Sequence, residues 1–387
     1  MTASCGGLKT YFSNAVPAQA SFHILHLSTP LSWRGGEQQL AYLMGELRER
    51  GVAQVLLAPK GSKMADYGRR EGFPLVEFKR SFSLNPLLAG LIKRTCRERR
   101  IDLIHTHDSH AHTAAVLSAS LGNRTPIVVS RRVDFPLKTS GLGLWKYRHR
   151  AVKRVLCVSG FIESLVRREL PSERVTTVHS GIDPRRFERT ASAASLRQEF
   201  GLSPAATLIG TVAALAPHKD LFTFLRTAKI LTDRGIEAHF FIIGKDDGEG
   251  DRLKALAQQL QLTDRLSFTG FRSDVPQILP QLDIFLFTSK TEGLGTSVLD
   301  AFAAGVPVVA TAAGGIVESV LHEQTGLLAP IGDAEHLAGE VQRLLADPEL
   351  RTHLPAGAKE HLQQFTKSAT AARTLAVYRE IVEPNRS

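Results

Sequence analysis

The densest run of residues able to do chemistry is FTSKTEGLGTSVLDAFAAGVPVVAT, Phe287 to Thr311. An apolar, strand-like stretch closes at Ser289. Glu292 follows, then the turn Gly293-Leu294-Gly295, then Thr296-Ser297 opening an apolar-periodic helix that carries Asp300. Glycines let a backbone approach a ligand closely, and the free N–H groups of a helix start attract a diphosphate or a sugar hydroxyl. Glu292 and Asp300 are acceptors suited to adjacent hydroxyls, as on a sugar ring and a ribose. A capped helix on a sheet would account for Thr296 and the apolar residues, but not for an acid beside two glycines.

Other segments offer weaker signals. WRGGEQQL, Trp33 to Leu40, places two glycines between a first strand and a first helix, where the N–H groups around Gly36 can face a phosphate. His105, His107, His110 and His112 crowd the end of another strand and suggest a metal. No cysteine or suitably spaced carboxylate set accompanies them, so no metal is expected. Asp246-Asp247 sits in a polar loop. The three cysteines, Cys5, Cys96 and Cys157, are odd in number and widely spaced, which argues against a disulfide framework. Asn123-Arg124-Thr125 matches a glycosylation sequon and reads as an ordinary surface turn.

These residues need a frame, and the sequence supplies one. With 387 residues, 43% of them apolar and 22% charged, the chain has the make-up of a globular protein of two domains. Strand-like runs at 23–29, 52–58, 101–107, 126–130, 155–159 and 175–181 alternate with helical patterns at 37–49, 84–100, 109–120 and 160–169. After a linker at 182–195 the pattern repeats, with strands at 207–213, 239–244, 265–270, 284–289 and 306–311. The expected organisation is α/β: a flexible tail (1–20), a first Rossmann-like domain (21–195) and a second (196–367). No apolar stretch reaches the roughly 18 residues of a spanning helix, and the first twenty residues lack a signal-like apolar core, so a cytoplasmic protein is expected.

The charge is uneven. Residues 1–195 carry 30 Lys and Arg against 15 Asp and Glu, residues 196–387 18 against 23. A positive first half favours anionic lipid, a phosphorylated acceptor or nucleic acid, against the plain alternative of a solvated basic face.

The segment around Glu292 and Asp300 resembles the E-x7-E signature of family 4 glycosyltransferases, retaining enzymes of GT-B fold, and the similarity extends from Gly35-Gly36-Glu37 through the second half. That resemblance implies two Rossmann-like domains with a cleft between them, a final helix (about 368–387) packing back on the first domain, and hexosyl-type transfer from a nucleotide-diphosphate sugar. By position, Glu292 would contact the transferred sugar and Asp300 the ribose, although this chain has Asp where Glu is usual. Gly293, Leu294, Gly295, Thr296 and Gly36 would serve the donor. GTVAALAPHKD, Gly210 to Asp220, is similar to the element that holds the diphosphate. It assigns Lys219 to phosphate and leaves Ala214 where an arginine is common, with Arg131, Arg132 and His218 as candidate replacements. TGFRSDV, Thr269 to Val275, looks like the loop over which the base sits, with Arg272 able to stack on it. A histidine of the first domain would lie near the sugar: His107 first, His112 second.

The resemblance also implies no cofactor and no metal. The expected acceptor is a glycan or a lipid-linked molecule, as in lipopolysaccharide or other cell-envelope synthesis, reached from the cytoplasmic face of the inner membrane. An epimerase of the same fold is the nearest rival, separable by incubating donor without acceptor. A nucleic-acid binder is disfavoured because no DNA or RNA module and no aromatic-interleaved basic stripe is present. A dehydrogenase is disfavoured because no G-x-G-x-x-G follows the first strand.

Overall fold

The computed structural model describes residues 22–80, 85–137, 142–188 and 195–383. Two parallel sheets organise them. The first runs β3-β2-β1-β4-β5-β6-β7, with β1 His23–Leu27, β2 Ala53–Pro59, β3 Leu75–Phe78, β4 Leu103–Thr106, β5 Ile127–Arg131, β6 Val152–Cys157 and β7 Val175–Thr177. The second runs β10-β9-β8-β11-β12-β13, with β8 Thr207–Val212, β9 Ala238–Ile243, β10 Leu266–Gly270, β11 Ile284–Phe287, β12 Val308–Thr311 and β13 Leu327–Ala329. Both are doubly wound α/β sheets. Their central strands are buried on both faces, which is why IFLF and VVAT read as unbroken apolar runs.

In such a sheet the strand order reverses at one point, and the loops leaving the two strands there part to form a crevice. Here the reversal falls between β1 and β4 in the first sheet and between β8 and β11 in the second. The register at β1 and β4 sets Leu25 opposite Ile104 and His26 opposite His105.

The chain crosses between the domains twice, side by side. Ile182 pairs with Thr366, donating to the carbonyl of Phe365 at 2.9 Å and accepting from Lys367 at 2.8 Å. A Cβ on the preceding Gly181 would lie 2.4 Å from the backbone of Thr366, so only glycine permits this approach. Beyond the crossing, the helix Lys367–Val382 packs on the helix Gly35–Glu49 and buries Leu375, Tyr378 and Ile381 in the first domain's core.

Several elements differ from the sequence expectation. β3 and β13, four and three residues long, were not anticipated, and the strand expected at 175–181 stops at Thr177. The first helix begins at Gly35, so the glycine pair forms its first turn rather than a separate loop. The third helix spans Pro86–Glu98, capped by Asn85; the part of that expectation at residue 84 lies outside the described residues. Within the expected linker, Arg185–Glu188 is a helical turn; 189–194 lie outside the described residues, as do the expected tail and Cys5. Asn123 is no surface turn residue. It is buried, donating to Ser118 Oγ at 3.2 Å and accepting from Thr125 N at 3.2 Å.

Candidate active site

Glu292 and Lys219 arrive from the two strands that flank the second sheet's reversal. After β8 the chain runs to the short turn Pro217–Lys219, then reverses at Asp220, which takes a left-handed conformation (φ 46°). After β11 it passes Thr288, whose hydroxyl donates to the carbonyls of Lys219 and Asp220 at 3.2 and 3.1 Å. Lys290 N–H donates to the His218 carbonyl at 2.8 Å, so the two loops are stitched together. The result is a direct ion pair between Lys219 and Glu292, largely shielded from solvent, with Ser289 Oγ donating to the same carboxylate at 3.2 Å. The sequence assigned these residues separately; the fold joins them.

The glycine turn is shaped by close approaches. A Cβ on Gly293 would stand 2.6 Å from the carbonyl oxygen of Arg132, across in the first domain. Gly295 has φ 78° and occupies the cap position of the helix Thr296–Ala303, so Thr296 is its first helical residue and not the cap. Gly314 and Gly315, which the sequence reading passed over, let the backbone lie against Glu292 and Gly293, where Cβ atoms would come within 2.4 and 2.1 Å of carbonyl oxygens. The Leu294 side chain is buried in the core, and its carbonyl accepts from the buried Ser319 Oγ at 2.7 Å.

Asp300 lies one turn along the helix from Thr296, on the same face. Its Oδ1 is buried with no hydrogen-bond partner among the described residues. Burial raises this carboxyl to about 6, against the pull of the Arg186 guanidinium. Arg186 in turn donates to the Tyr42 hydroxyl at 3.1 Å, on the first domain's Gly35–Glu49 helix.

Arg272 has the N–H edge of its guanidinium taken up by carboxylates, which hold the plane of the group in place. It is held by Asp274 at 2.8 and 2.7 Å and by Glu199 at 2.6 and 3.1 Å, and these hydrogen bonds push its basicity further up. Asp274, a possible cap from sequence, spends its carboxylate on Arg272 and makes no cap bond. The large exposed ring on that turn belongs to Phe271.

The first domain contributes the loops after β1 and β4. Asp108 ties them: its carboxylate accepts from Thr29 N–H and Oγ1–H at 2.8 and 2.6 Å, and from His110 and Ala111 N–H at 3.0 and 2.9 Å. Beside it a cavity of about 780 Å³ is lined by residues including Gly36, Glu37, His107, His112, Arg131, Arg132 and Lys146. Arg34, also on this rim, reaches the second domain's Asp247 at 3.6 Å; Asp247 N–H bonds the carbonyl of Leu215, the residue after Ala214. His218 is exposed on the facing loop.

The histidines do not group as their spacing suggested. His110 and His112 go elsewhere, and His26 from β1 joins His105 and His107, with ring nitrogens of the three within 4.8 Å of one another. Five of their six nitrogens have hydrogen-bond partners. His105 meets Tyr378 Oη at 2.5 Å and Ser130 Oγ at 2.8 Å; His26 meets Gln54 Oε1 and His107 Nε2, each at 3.1 Å. Gln54 Oε1 can only accept, so His26 carries its proton on Nε2 and accepts at Nδ1 from His107 Nε2–H. His107 Nδ1 is thereby a buried lone pair without a partner among the described residues. Burial holds His107 and His105 well below the usual histidine range and His26 at about 3, so all three are neutral at pH 7.

The two Rossmann-like domains turn their reversal points toward one cleft, an arrangement shared with solved glycosyltransferases. Residues 193–361 match the family described as Glycosyl transferases group 1, and residues 33–186 match Glycosyltransferase Family 4. The alpha-D-kanosaminyltransferase of Streptomyces kanamyceticus is 30% identical over 72% of this chain and 77% of its own length. The lipopolysaccharide core biosynthesis glycosyltransferase LpsE of Rhizobium meliloti is 27% identical over 87% and 93%. Among solved structures, a glycosyltransferase of Rickettsia africae superposes with a TM-score of 0.83 at 18% identity, covering 93% of this chain and 98% of that one. Alr3699/HepE of Anabaena, crystallised with UDP, gives 0.79 at 22%, covering 93% and 100%. This chain belongs to the group 1, family 4 glycosyltransferases, and its fold is the GT-B arrangement of two Rossmann-like domains.

Proposed function

We propose that this glycosyltransferase moves a hexose-type sugar from a nucleotide diphosphate to an acceptor hydroxyl with retention of anomeric configuration. The observation that carries the reading is the Lys219–Glu292 pair, set at the second sheet's reversal point and facing the loops of β1 and β4. Lys219 and the N–H groups that open the helix at Thr296 would hold the diphosphate, Glu292 the sugar, Asp300 the ribose, and His107 a sugar hydroxyl from the opposite wall. The leaving diphosphate, stabilised there, would itself take the acceptor proton on the same face. Fixed dipoles and charges aimed at that developing negative charge then supply most of the rate.

The protein would need no metal for this: five of the six nitrogens in its one three-histidine cluster among the described residues already have protein partners. Activity should survive EDTA. Incubation with UDP-, GDP- and ADP-sugars and a candidate glycan acceptor, followed by product stereochemistry, tests the reaction. Glu292→Ala should lower kcat by about 100-fold or more, on the scale of losing one preorganised contact to the transition state; full activity in that variant would refute the assignment.

For the acceptor, the likeness to the Rhizobium lipopolysaccharide core enzyme and the basic first half favour a cell-envelope glycan met at an anionic membrane surface on the cytoplasmic side. No described helix is long and apolar enough to cross a membrane, so attachment would be peripheral. Sedimentation with liposomes should rise with anionic lipid content and fall with salt; indifference to both would count against it.

A further inference from the structure

We propose that the first-domain cavity is an oxyanion site: it seats a carboxylate or phosphate of the acceptor, with an acceptor hydroxyl turned to His112. This rests on the reading above, in which the donor occupies the second domain.

The ground is a set of cations in no direct ion pair, with Glu37 and Asp108 acting on Arg132 and Lys146 only at longer range. Arg131 is 5% and Lys146 8% exposed, and Arg132 is half-buried; all three line the cavity. Arg131 donates to Tyr147 Oη at 3.0 Å and to the Phe135 carbonyl, with those two rings 5.7 and 5.3 Å from its guanidinium. Arg132 donates to Ser180 Oγ at 3.2 Å. Lys146 donates to Ser109 O and Oγ at 3.0 and 2.8 Å and to Thr113 Oγ1 at 3.2 Å. No carboxylate among the described residues forms an ion pair with any of them. The two acids on the wall are engaged elsewhere, Glu37 on the Arg34 N–H and Asp108 on its four donors. Asp134 is close in sequence but neither lines the cavity nor pairs with the three.

Charges taken out of water are costly: burial lowers Arg132 to about 10 and Lys146 below its ordinary value, and Glu37 and Asp108 offset only part of that. The unused polar atoms specify the missing ligand further. Arg131 Nε and Arg132 Nε are buried donors with nothing to donate to. His112 Nε2 faces the Lys146 carbonyl at 3.1 Å and must donate, which leaves its partnerless Nδ1 an acceptor, as in His107. Three cations around one cavity, none in a direct ion pair, suit an oxyanion, and the remaining acceptor nitrogen of His112 suits a hydroxyl. A cavity of about 780 Å³ has room for a molecule bearing both.

The test uses the full chain saturated with UDP and titrated calorimetrically with inorganic phosphate, succinate and, as neutral control, glycerol. Phosphate or succinate should bind while glycerol does not; phosphate alone marks a phosphorylated acceptor, succinate alone a carboxylic one. Arg132→Gln should weaken that binding at least tenfold and leave the UDP-induced rise in Tm unchanged, and Lys146→Gln, made independently, should do the same. Glu292→Ala should lose transfer but keep anion binding, so a failure of the transferase reading shows separately. The proposal is overturned if neither anion binds, if both folded variants bind as the native chain does, or if UDP displaces the anion, which would give the cavity to the donor diphosphate.

Discussion

Asp300 shows how one buried atom ties chemistry to pH. Its carboxyl is raised from 3.8 to about 6 by burial, so in the folded chain it holds a proton that the unfolded chain has already released. Its contribution to stability is therefore full below pH 3.8 and declines as pH rises to about 6, by at most ~3 kcal/mol for about two units. Ribose hydroxyls need the ionised acceptor, which forms over the upper part of that window. Donor KM should fall as pH rises from 5 to 7, and Asp300→Asn should flatten the profile, weaken donor binding, and raise Tm at pH 7.5. A pH-independent donor KM in the native chain would contradict this. His26 acts at one remove. With Gln54 it fixes the proton of His107 on Nε2, so His26→Leu should lower kcat by roughly tenfold, the scale of one lost buried hydrogen bond. Because the proposed phosphate site at Lys219 and Thr296 is in the other domain, the UDP-induced Tm shift should stay the same. Imidazole nitrogen chemical shifts of His107 would report the change of tautomer.

The elements that place these residues were legible in the sequence to different degrees, for physical reasons. Doubly buried strands such as β9 and β11 announce themselves as continuous apolar runs, and the alternation with helices fixes a parallel, doubly wound sheet. β3 and β13 sit at sheet edges and are too short to establish a period. Glu292, Gly293 and Gly295 were readable because the chemistry and the turn share one continuous segment. The His26–His105–His107 group was not, since it is made by register between β1 and β4, and Lys146 is brought to the cavity by tertiary packing alone. Local spacing pointed instead to His110 and His112, and the pairing of Arg272 with Glu199 was not legible because the two lie 73 positions apart. The Gly293 turn gives the test at this scale. Its missing Cβ allows the first domain's Arg132 carbonyl to close in, and an added methyl would stand 2.6 Å from that oxygen. Gly293→Ala should thus part the domains and lower kcat/KM by about tenfold or more, the consequence of a shift of order 1 Å at the reacting groups. Its Tm should fall as well, because one apolar cluster runs through both domains and includes Val158 and Ile162 beside Gly293. A fully active Gly293→Ala enzyme would mean that the turn and Arg132 need not approach for turnover.

At the scale of the whole molecule, one chain end governs the opposite domain. The helix Lys367–Val382 belongs in sequence to the second half but supplies a wall of the first core, where Tyr378 is fully buried and its hydroxyl meets His105. Polar contacts fasten the same junction. Lys367 pairs with Asp183 at 2.7 Å and with Glu46 at 3.7 Å, and Glu318 of the second domain accepts from Gly160 and Phe161 N–H at 2.8 Å each and meets His179 at 3.0 Å. The double crossing at Ile182 and Thr366 is then the natural axis for any opening of the cleft, since two adjacent backbones can turn there without disturbing either sheet. Tyr378 separates packing from polar contact. Tyr378→Phe keeps the ring and loses the hydroxyl, leaving His105 Nδ1 unpaired, and should cost about 1–2 kcal/mol. Tyr378→Ala empties the site and should cost about 3–5 kcal/mol. In calorimetry both losses should appear in the first domain's unfolding, while added UDP should still raise the transition of the second, because a ligand stabilises the unit that binds it. If Tyr378→Ala lowered the second domain's transition and spared the first, the helix would have to be reassigned to the half of the chain from which it comes.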